Sequence, residues 1–183
     1  MIWVSALAIS AACGKPLWKA PPPAPEPEFP AGLLNAPIDS ISLFQSSAMV
    51  QSTEYQYVLR ADGTAGYCVL RYAPVLGRYT ARLDRGAYQQ LERLLRNKHF
   101  LQMARFYEYP ATDQMSTITR MFLADTLKEV HRYGDPADTP PELHEIEQAI
   151  HDAAQGLHWE YAGAAAEPCS RPERSVSGRK RGH

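Results

Sequence analysis

The sequence predicts an α+β domain: an antiparallel sheet of about six strands in the order ββββ-α-ββ-α, with two helices on one face. Three observations predict this fold. Several short segments alternate apolar and polar residues, an Asp-Gly dipeptide separates two of them, and two later segments carry apolar residues at helical spacing. The net charge of -1 and the 45% hydrophobic content exclude a strongly basic nucleic-acid binder and a highly polar disordered chain.

The first four predicted strands precede the first helix. Residues 38–44 alternate imperfectly and form the first strand. In the segment EYQYVLRADGTAGYCVLRY, two β-rich runs flank Asp62 and Gly63, a dipeptide that suits a tight hairpin turn. The segment LGRYTARL then alternates again and predicts a fourth strand, with Tyr79 and Leu83 pointing inward.

The two helices have recognisable ends. Asp84 is a suitable cap for the first helix, which has an apolar stripe. The stripe consists of Tyr88, Leu91, Leu94 and Leu95. Two more strands follow around a turn at residues 125–126. In the segment TPPE, Thr139 is expected to cap the second helix, Glu142 occupies the capping-box position, and Gly156 ends the helix.

The first residues resemble a bacterial signal for export. Residues 2–12 are uncharged and mostly apolar, too short to span a membrane but suited to a signal peptide. Small residues precede Cys13, as in the lipobox of lipoproteins, and Cys13 is therefore the predicted lipid attachment site. A lipid predicts a location on the periplasmic side of the outer membrane. The same small residues suit ordinary cleavage, and the alternative is a secreted or soluble periplasmic protein.

The chain is expected to have four parts. A signal peptide covers residues 1–13, and a proline-rich linker covers residues 14–37, because proline opposes both helix and sheet. A single domain covers residues 38–162. Residues 163–183 lose periodicity and carry an excess of basic side chains, which predicts a disordered, solvated tail.

Five segments in this order resemble a bacterial domain-of-unknown-function family, number 6438. The segments are YQYVLRADGTAGY, LGRYTARLDRGAYQQLERLL, HFLQMARFYEYPATD, STITRMFLADTLKEVHRYGD and PPELHEIEQAI. The matching positions are Tyr57, Asp62, Gly63, Gly77, Tyr79, Phe100, Tyr107 and Asp113. The resemblance covers most of residues 38–152 and implies a secreted protein or lipoprotein of this fold, with no assigned activity. SSAMVQSTEY replaces the family's Cys-Pro segment, so any role of that cysteine is absent here.

The sequence indicates no catalytic residues, no metal site and no cofactor. It contains no nucleophile elbow, zinc-protease motif, phosphate-binding glycine loop or dinucleotide fingerprint. The three cysteines lack the spacing of metal ligands, and we expect no disulfide between Cys68 and Cys169, because they lie in a strand and in the tail.

Three histidines recur every seven residues, at His144, His151 and His158. Seven helical residues advance about 10.5 Å, which is too far for neighbouring members to share one metal ion. We therefore expect a solvated helix face.

Tyrosine is the most suggestive residue type. Several of the ten tyrosines lie in predicted strands, where an apolar ring with a polar tip suits recognition of a protein or glycan. Core packing is the alternative. The predicted binding face consists of Tyr55, Tyr57, Tyr79 and Asp113.

The predicted function is a lipid-tethered, non-enzymatic binding module of the bacterial envelope. Its expected partners are the membrane, through the lipid, and an envelope protein or glycan, but no nucleic acid. Two alternatives stay open: an inhibitor or immunity protein against an envelope-acting enzyme, and a small hydrolase using Asp113 with His99 or His131.

Overall fold

The computed structural model describes residues 31–48 and 52–164, which build one eight-stranded sheet and two α-helices. The strands are β1 (Ile38–Gln45), β2 (Glu54–Arg60), β3 (Thr64–Arg71), β4 (Gly77–Arg82), β5 (Phe106–Glu108), β6 (Ser116–Leu123), β7 (Thr126–Tyr133) and β8 (Glu160–Gly163). The helices are α1 (Arg85–Asn97) and α2 (Pro141–Gln155). Short 3-10 helices cover Ala31–Asn35 and Phe100–Gln102. The predicted signal peptide, Cys13, and most of the predicted linker and tail lie outside the described residues.

The strands lie in the order β5-β7-β6-β1-β2-β3-β4-β8. All neighbours are antiparallel except β5 and β7, which are parallel. The predicted α+β class is confirmed, but the predicted six strands are wrong in number and order. The sequence pattern missed β5 and β8 because three and four residues are too few to establish an alternation.

Both predicted hairpins form through residues suited to tight turns. At the first, Asp62 Oδ1 accepts hydrogen bonds from the amide and the hydroxyl of Thr64, at 2.8 and 2.7 Å, and Gly63 has a φ of 81°. At the second, Ala124 and Asp125 both have positive φ, so the turn lies one residue earlier than predicted.

The two helices bury their apolar stripes against one face of the sheet. The β2 residues Tyr55, Tyr57 and Leu59 alternate toward this face, and all three are buried. The helical members of the same core are Tyr88, Leu91, Leu95, Leu143, Ile146, Ile150 and Ala154. No helix within the described ranges is long and apolar enough to cross a membrane.

One predicted helix cap is confirmed and the other is wrong. Asp84 caps α1, since its Oδ1 accepts a hydrogen bond from the Ala87 amide at 3.1 Å. The cap residue of α2 is Pro140 rather than Thr139, and it makes no side-chain capping bond. Thr139 lies one residue too early for its hydroxyl to reach the free amides, and its buried Oγ1 has no partner among the described residues. Gly156 ends the helix, as predicted.

Candidate functional site

A row of tyrosine rings crosses the helix-facing side of the sheet from β2 to β8. Strand pairing places Tyr57 opposite Tyr67, Tyr67 opposite Tyr79, and Tyr79 opposite Tyr161. The corresponding ring centroids are 4.8, 5.6 and 5.3 Å apart, distances at which aromatic pairs attract. We call these four residues, with Tyr55 beside Tyr57, the tyrosine row.

The β2 end of the tyrosine row is buried beneath α2. Tyr55 and Tyr57 are only 8% and 5% exposed. The Tyr55 hydroxyl donates to Gln45 Oε1 at 2.7 Å and lies 3.2 Å from His151 Nδ1, and burial raises the pKa of Tyr55 to about 12. These two members of the predicted binding face are core residues, because α2 covers their side chains.

The β8 end of the tyrosine row reaches solvent. Tyr161 is 56% exposed, and Tyr79 is half-buried and donates its hydroxyl to the Val75 carbonyl at 3.3 Å. The Tyr161 ring lies over Gly77, where a Cβ atom would be 2.6 Å from the ring. Of the predicted tyrosine face, only Tyr79 is therefore accessible.

The structure does not bring Asp113 into contact with His99 or His131, the residues of the hydrolase hypothesis. Asp113 is exposed in the loop between β5 and β6, with a φ of 60° that Asp tolerates. His99 follows α1, and His131 on β7 has its Nε2 2.5 Å from Glu129 Oε1. No hydrogen bond or ion pair of the described residues connects Asp113 with either histidine.

The three histidines of the seven-residue ladder have separate surroundings. His144 pairs with Asp135 at 3.1 Å, His151 contacts Tyr55, and His158 lies beyond the end of α2. The predicted solvated face is wrong for His151, which packs against the tyrosine row. Within the described residues, no three His, Cys, Asp or Glu side chains are grouped to hold a metal ion.

A buried ion pair connects α2 to the sheet. Arg132 donates to Glu147 through Nε at 3.0 Å and Nη2 at 2.6 Å, and also to the Gly134 carbonyl at 2.6 Å. Burial raises the pKa of Glu147, although the hydrogen bonds from Arg132 oppose that rise. Sequence reasoning missed this pair, but one signal was present: Glu147 follows Leu143 by four residues and so lies on the buried stripe.

A second ionic cluster lies on the opposite face of the sheet. Glu129 is within 2.5 Å of Arg120 and of His131, and within 3.5 Å of Arg105. Burial alone would raise the pKa of Glu129, but hydrogen bonds from His131 and Arg120 outweigh it and lower this pKa to about 2. This cluster stabilises the β6–β7 hairpin.

The opposite face also carries a groove of about 730 Å³, which spans β2, β3, β4 and β8. Its floor is Gly66 in the middle of β3, where an added Cβ would find its nearest neighbour, the Val58 carbonyl oxygen, 4.0 Å away. A glycine inside a strand often marks a place where another molecule approaches the backbone. Gly66 inside a predicted strand is the sequence signal that could have indicated the groove.

Three arginines line the groove over Gly66. Arg60 and Arg82 lie on either side of Thr64, and Arg78 lies near the other end. No hydrogen bond or ion pair engages these three guanidinium groups within the described parts of the chain. Glu160 contributes one carboxylate to the lining. The groove therefore offers unpaired donors for an anionic ligand.

Cys68 lies at the Arg78 end of the groove and is disulfide-bonded. The chain has three cysteines, so its partner is Cys13 or Cys169, and both lie outside the described residues. The prediction that Cys68 and Cys169 stay unbridged therefore stays a prediction. The strand position of Cys68 does not prevent it from forming a disulfide.

A family model described as "Domain of unknown function (DUF6438)" matches residues 39–154, from β1 into α2. No curated protein matches the chain. Several positions that carried the resemblance have structural roles. Phe100 and Tyr107 are buried, and Asp62 and Gly63 form the first hairpin turn.

Proposed function

The chain belongs to the domain-of-unknown-function family DUF6438, and we propose that it is a non-enzymatic ligand-binding domain of the bacterial envelope, tethered by a lipid on Cys13. The groove over Gly66 is its binding site. The observation that carries the proposal is the set of three arginines that line the groove without hydrogen-bond or ion-pair partners among the described residues.

The dimensions and charge of the groove support binding. Its volume of about 730 Å³ lies within the range of about 300–1,000 Å³ that is typical of ligand pockets. Arg60 and Arg82 are exposed and Arg78 is half-buried, and arginine recognises carboxylates and phosphates through paired hydrogen bonds. An unpaired arginine gains more from a ligand than one already engaged in an ion pair, because it has no existing bond to give up.

A binding role also agrees with the surroundings of Asp113, His99 and His131, the residues of the hydrolase hypothesis. The described contacts leave Asp113 without a histidine partner and commit His131 to Glu129. An inhibitor or immunity role would be one form of binding, and the identity of the partner would distinguish it.

The disulfide constrains the tether. A cysteine that carries a lipid on its sulfur cannot form a disulfide, so lipidation of Cys13 leaves only Cys169 as the partner of Cys68. The two sequence predictions, a lipid on Cys13 and no bridge between Cys68 and Cys169, are therefore incompatible once Cys68 is bonded. We retain the lipid on Cys13 and therefore expect Cys68 to be bonded to Cys169.

Retention of envelope components by the immobilised chain tests the proposed site. Gly66→Leu places a side chain over the floor of the groove, where the backbone conformation is ordinary and an added Cβ meets the Val58 carbonyl oxygen at 4.0 Å, an ordinary contact distance. Gly32→Leu is the matched control, since Gly32 is exposed, has no atom within 4 Å of an added Cβ, and lies outside the groove. We expect the wild type and Gly32→Leu to retain the same glycan or protein, and Gly66→Leu to lose it. Equal retention by all three would contradict the proposal.

A further inference from the structure

We infer that the groove over Gly66 takes an acidic oligosaccharide, with carboxylates on some of its sugars and free hydroxyls between them. This inference rests on the proposed function, because it names the ligand class of the same site. Three features of the groove support it: the positions of the arginines, the polar side chains between them, and the small number of aliphatic side chains.

The positive charges are concentrated toward the two ends of the groove. Thr64 pairs with Arg82 on β4, and Arg60 on β2 follows Leu59, which pairs with Ala65. Arg60 and Arg82 therefore lie on the two strands that flank β3, about two strand spacings or roughly 9.6 Å apart. Arg78 lies four residues before Arg82 on the same strand, or about 13 Å away. A ligand that satisfies both ends must be elongated and must carry separated anionic groups.

The lining between the arginines suits hydroxyl groups. Thr80 and Glu160 pair across β4 and β8, and Gln56 lies on the β2 side. A carboxylate only accepts hydrogen bonds, so Glu160 favours a ligand with hydroxyl donors and repels an unbroken row of negative charges. Polyphosphate has such a row, whereas an acidic oligosaccharide has hydroxyls between its carboxylates.

Few apolar side chains line the groove. Val58 and Ala162 are the aliphatic side chains that the described lining turns toward this face. Peptides gain much of their affinity from apolar anchors placed in pockets, and this lining offers little of that kind. The small number of aliphatic side chains and the spaced arginines therefore favour a glycan over an acidic peptide.

Neighbouring carboxylates moderate the charge of the groove. Hydrogen bonds from Thr64 lower the pKa of Asp62, and the charges of Arg60 and Arg82 lower it further. With Asp62 beside one end and Glu160 in the wall, the three arginines leave a net charge of one positive unit. We therefore expect moderate affinity that weakens as ionic strength rises.

Isothermal titration calorimetry on the full 183-residue chain tests the inference with four probes. The probes are an oligogalacturonate, the same oligomer with its carboxylates methyl-esterified, an oligoglutamate peptide, and a polyphosphate. We expect oligogalacturonate to bind at least tenfold more tightly than each of the other three. We also expect its affinity to fall between 20 and 200 mM salt, because the Debye length shortens from about 20 Å to about 7 Å over this range.

Variants locate the binding. Gly66→Leu and Arg78→Gln are expected to weaken oligogalacturonate binding at least tenfold, whereas Gly32→Leu and Arg93→Gln should leave it unchanged, since Arg93 is exposed on α1. Circular dichroism checks that each variant is folded. Arg78→Gln keeps the test valid if Gly66→Leu fails to fold.

The outcomes separate the ligand class from the site. Equal or tighter binding of the esterified oligomer, the peptide or the polyphosphate, if lost in Gly66→Leu, would overturn the acidic-oligosaccharide inference and leave the groove as a binding site. Failure of all four probes would also overturn the inference. The proposed function is tested separately by the retention experiment, and it fails if Gly66→Leu retains envelope components as the wild type does.

Discussion

At the scale of single residues, two glycines illustrate opposite uses of a missing side chain. Gly77 has a φ of 151°, which residues with a Cβ rarely adopt, and the Tyr161 ring occupies the space where a Cβ would be. Gly66 has an ordinary backbone conformation, and an added Cβ would meet only an ordinary contact, the Val58 carbonyl oxygen at 4.0 Å. The first glycine lets the chain pack tightly, and the second forms the floor of the groove.

The Gly77→Ala substitution should therefore be destabilising. A methyl group would contact the Tyr161 ring at 2.6 Å and strain the backbone, which we expect to lower the free energy of unfolding by about 1–3 kcal/mol. Guanidinium denaturation followed by tyrosine fluorescence measures the change. Gly66→Ala is the control and should be neutral or stabilising by up to about 1 kcal/mol. Equal destabilisation by both substitutions would refute this account of Gly77.

At the scale of secondary-structure elements, ionic contacts complement the apolar core. The pair between Arg132 and Glu147 joins α2 to β7, with side chains only 12% and 8% exposed. Removing one partner of a buried pair is costly, because the other charge is left without compensation. Replacing both partners by apolar residues is often neutral.

Arg132→Met should lower stability by about 3–5 kcal/mol at pH 7. Without Arg132, the pKa of Glu147, which burial already raises, rises further. The folded state then holds a proton that the unfolded state releases near pH 4.5, so the variant loses stability as pH rises above this value and regains it as pH falls. Urea denaturation at pH 5 and pH 7 measures the difference.

The double variant Arg132→Met with Glu147→Leu is the control for this prediction. It should recover most of the lost stability and show little of the pH dependence, because no carboxylate remains at the site. A deficit of the single variant that is identical at pH 5 and pH 7 would show that an ionised Glu147 is not its cause.

Glu129 should have the opposite pH dependence. Its folded pKa of about 2 lies below the ordinary value of 4.5, so its contribution is present above pH 4.5 and is lost as pH falls toward 2. Glu129→Gln is expected to cost up to about 3 kcal/mol at pH 7 and much less at pH 3. Denaturation midpoints at the two pH values test this. Glu108→Gln is the control, because the Glu108 side chain is exposed on β5, and it should leave the denaturation midpoints at both pH values unchanged.

At the scale of the whole molecule, a covalent bond adds to the non-covalent packing. Cys68 lies in a central strand and is bonded to a cysteine beyond the described residues. The bond therefore joins the sheet to a distant part of the chain. Which part it joins depends on the state of Cys13.

If the chain is lipidated at Cys13, a non-reducing peptide map should show Cys68 linked to Cys169. Cys13→Ser should then release the protein from the membrane fraction, or leave an uncleaved precursor, without breaking that link. Acyl chains contribute about 0.8 kcal/mol per buried CH₂, so their loss removes the anchor. A Cys68–Cys13 peptide in most molecules would exclude a lipid on that sulfur and leave a secreted or soluble periplasmic protein.

Features determined by neighbouring residues could be predicted from the sequence. The Asp62-Gly63 turn, the Asp84 cap and the α1 stripe each depend on residues only a few positions apart. Their energetics are local, so the pattern alone indicates them. Thr139 is the exception: α2 begins one residue later than the capping pattern predicts, with Pro140 at the cap position.

Features determined by strand order appeared only in the tertiary structure. The sequence by itself determined the α+β class and the family, and it identified the strand tyrosines. It did not determine that α2 covers Tyr55 and Tyr57, or that β8 pairs with β4 and completes the groove over Gly66. Burial and site formation depend on contacts between residues far apart in the chain, whereas a sequence pattern reports only the conformation of neighbouring residues.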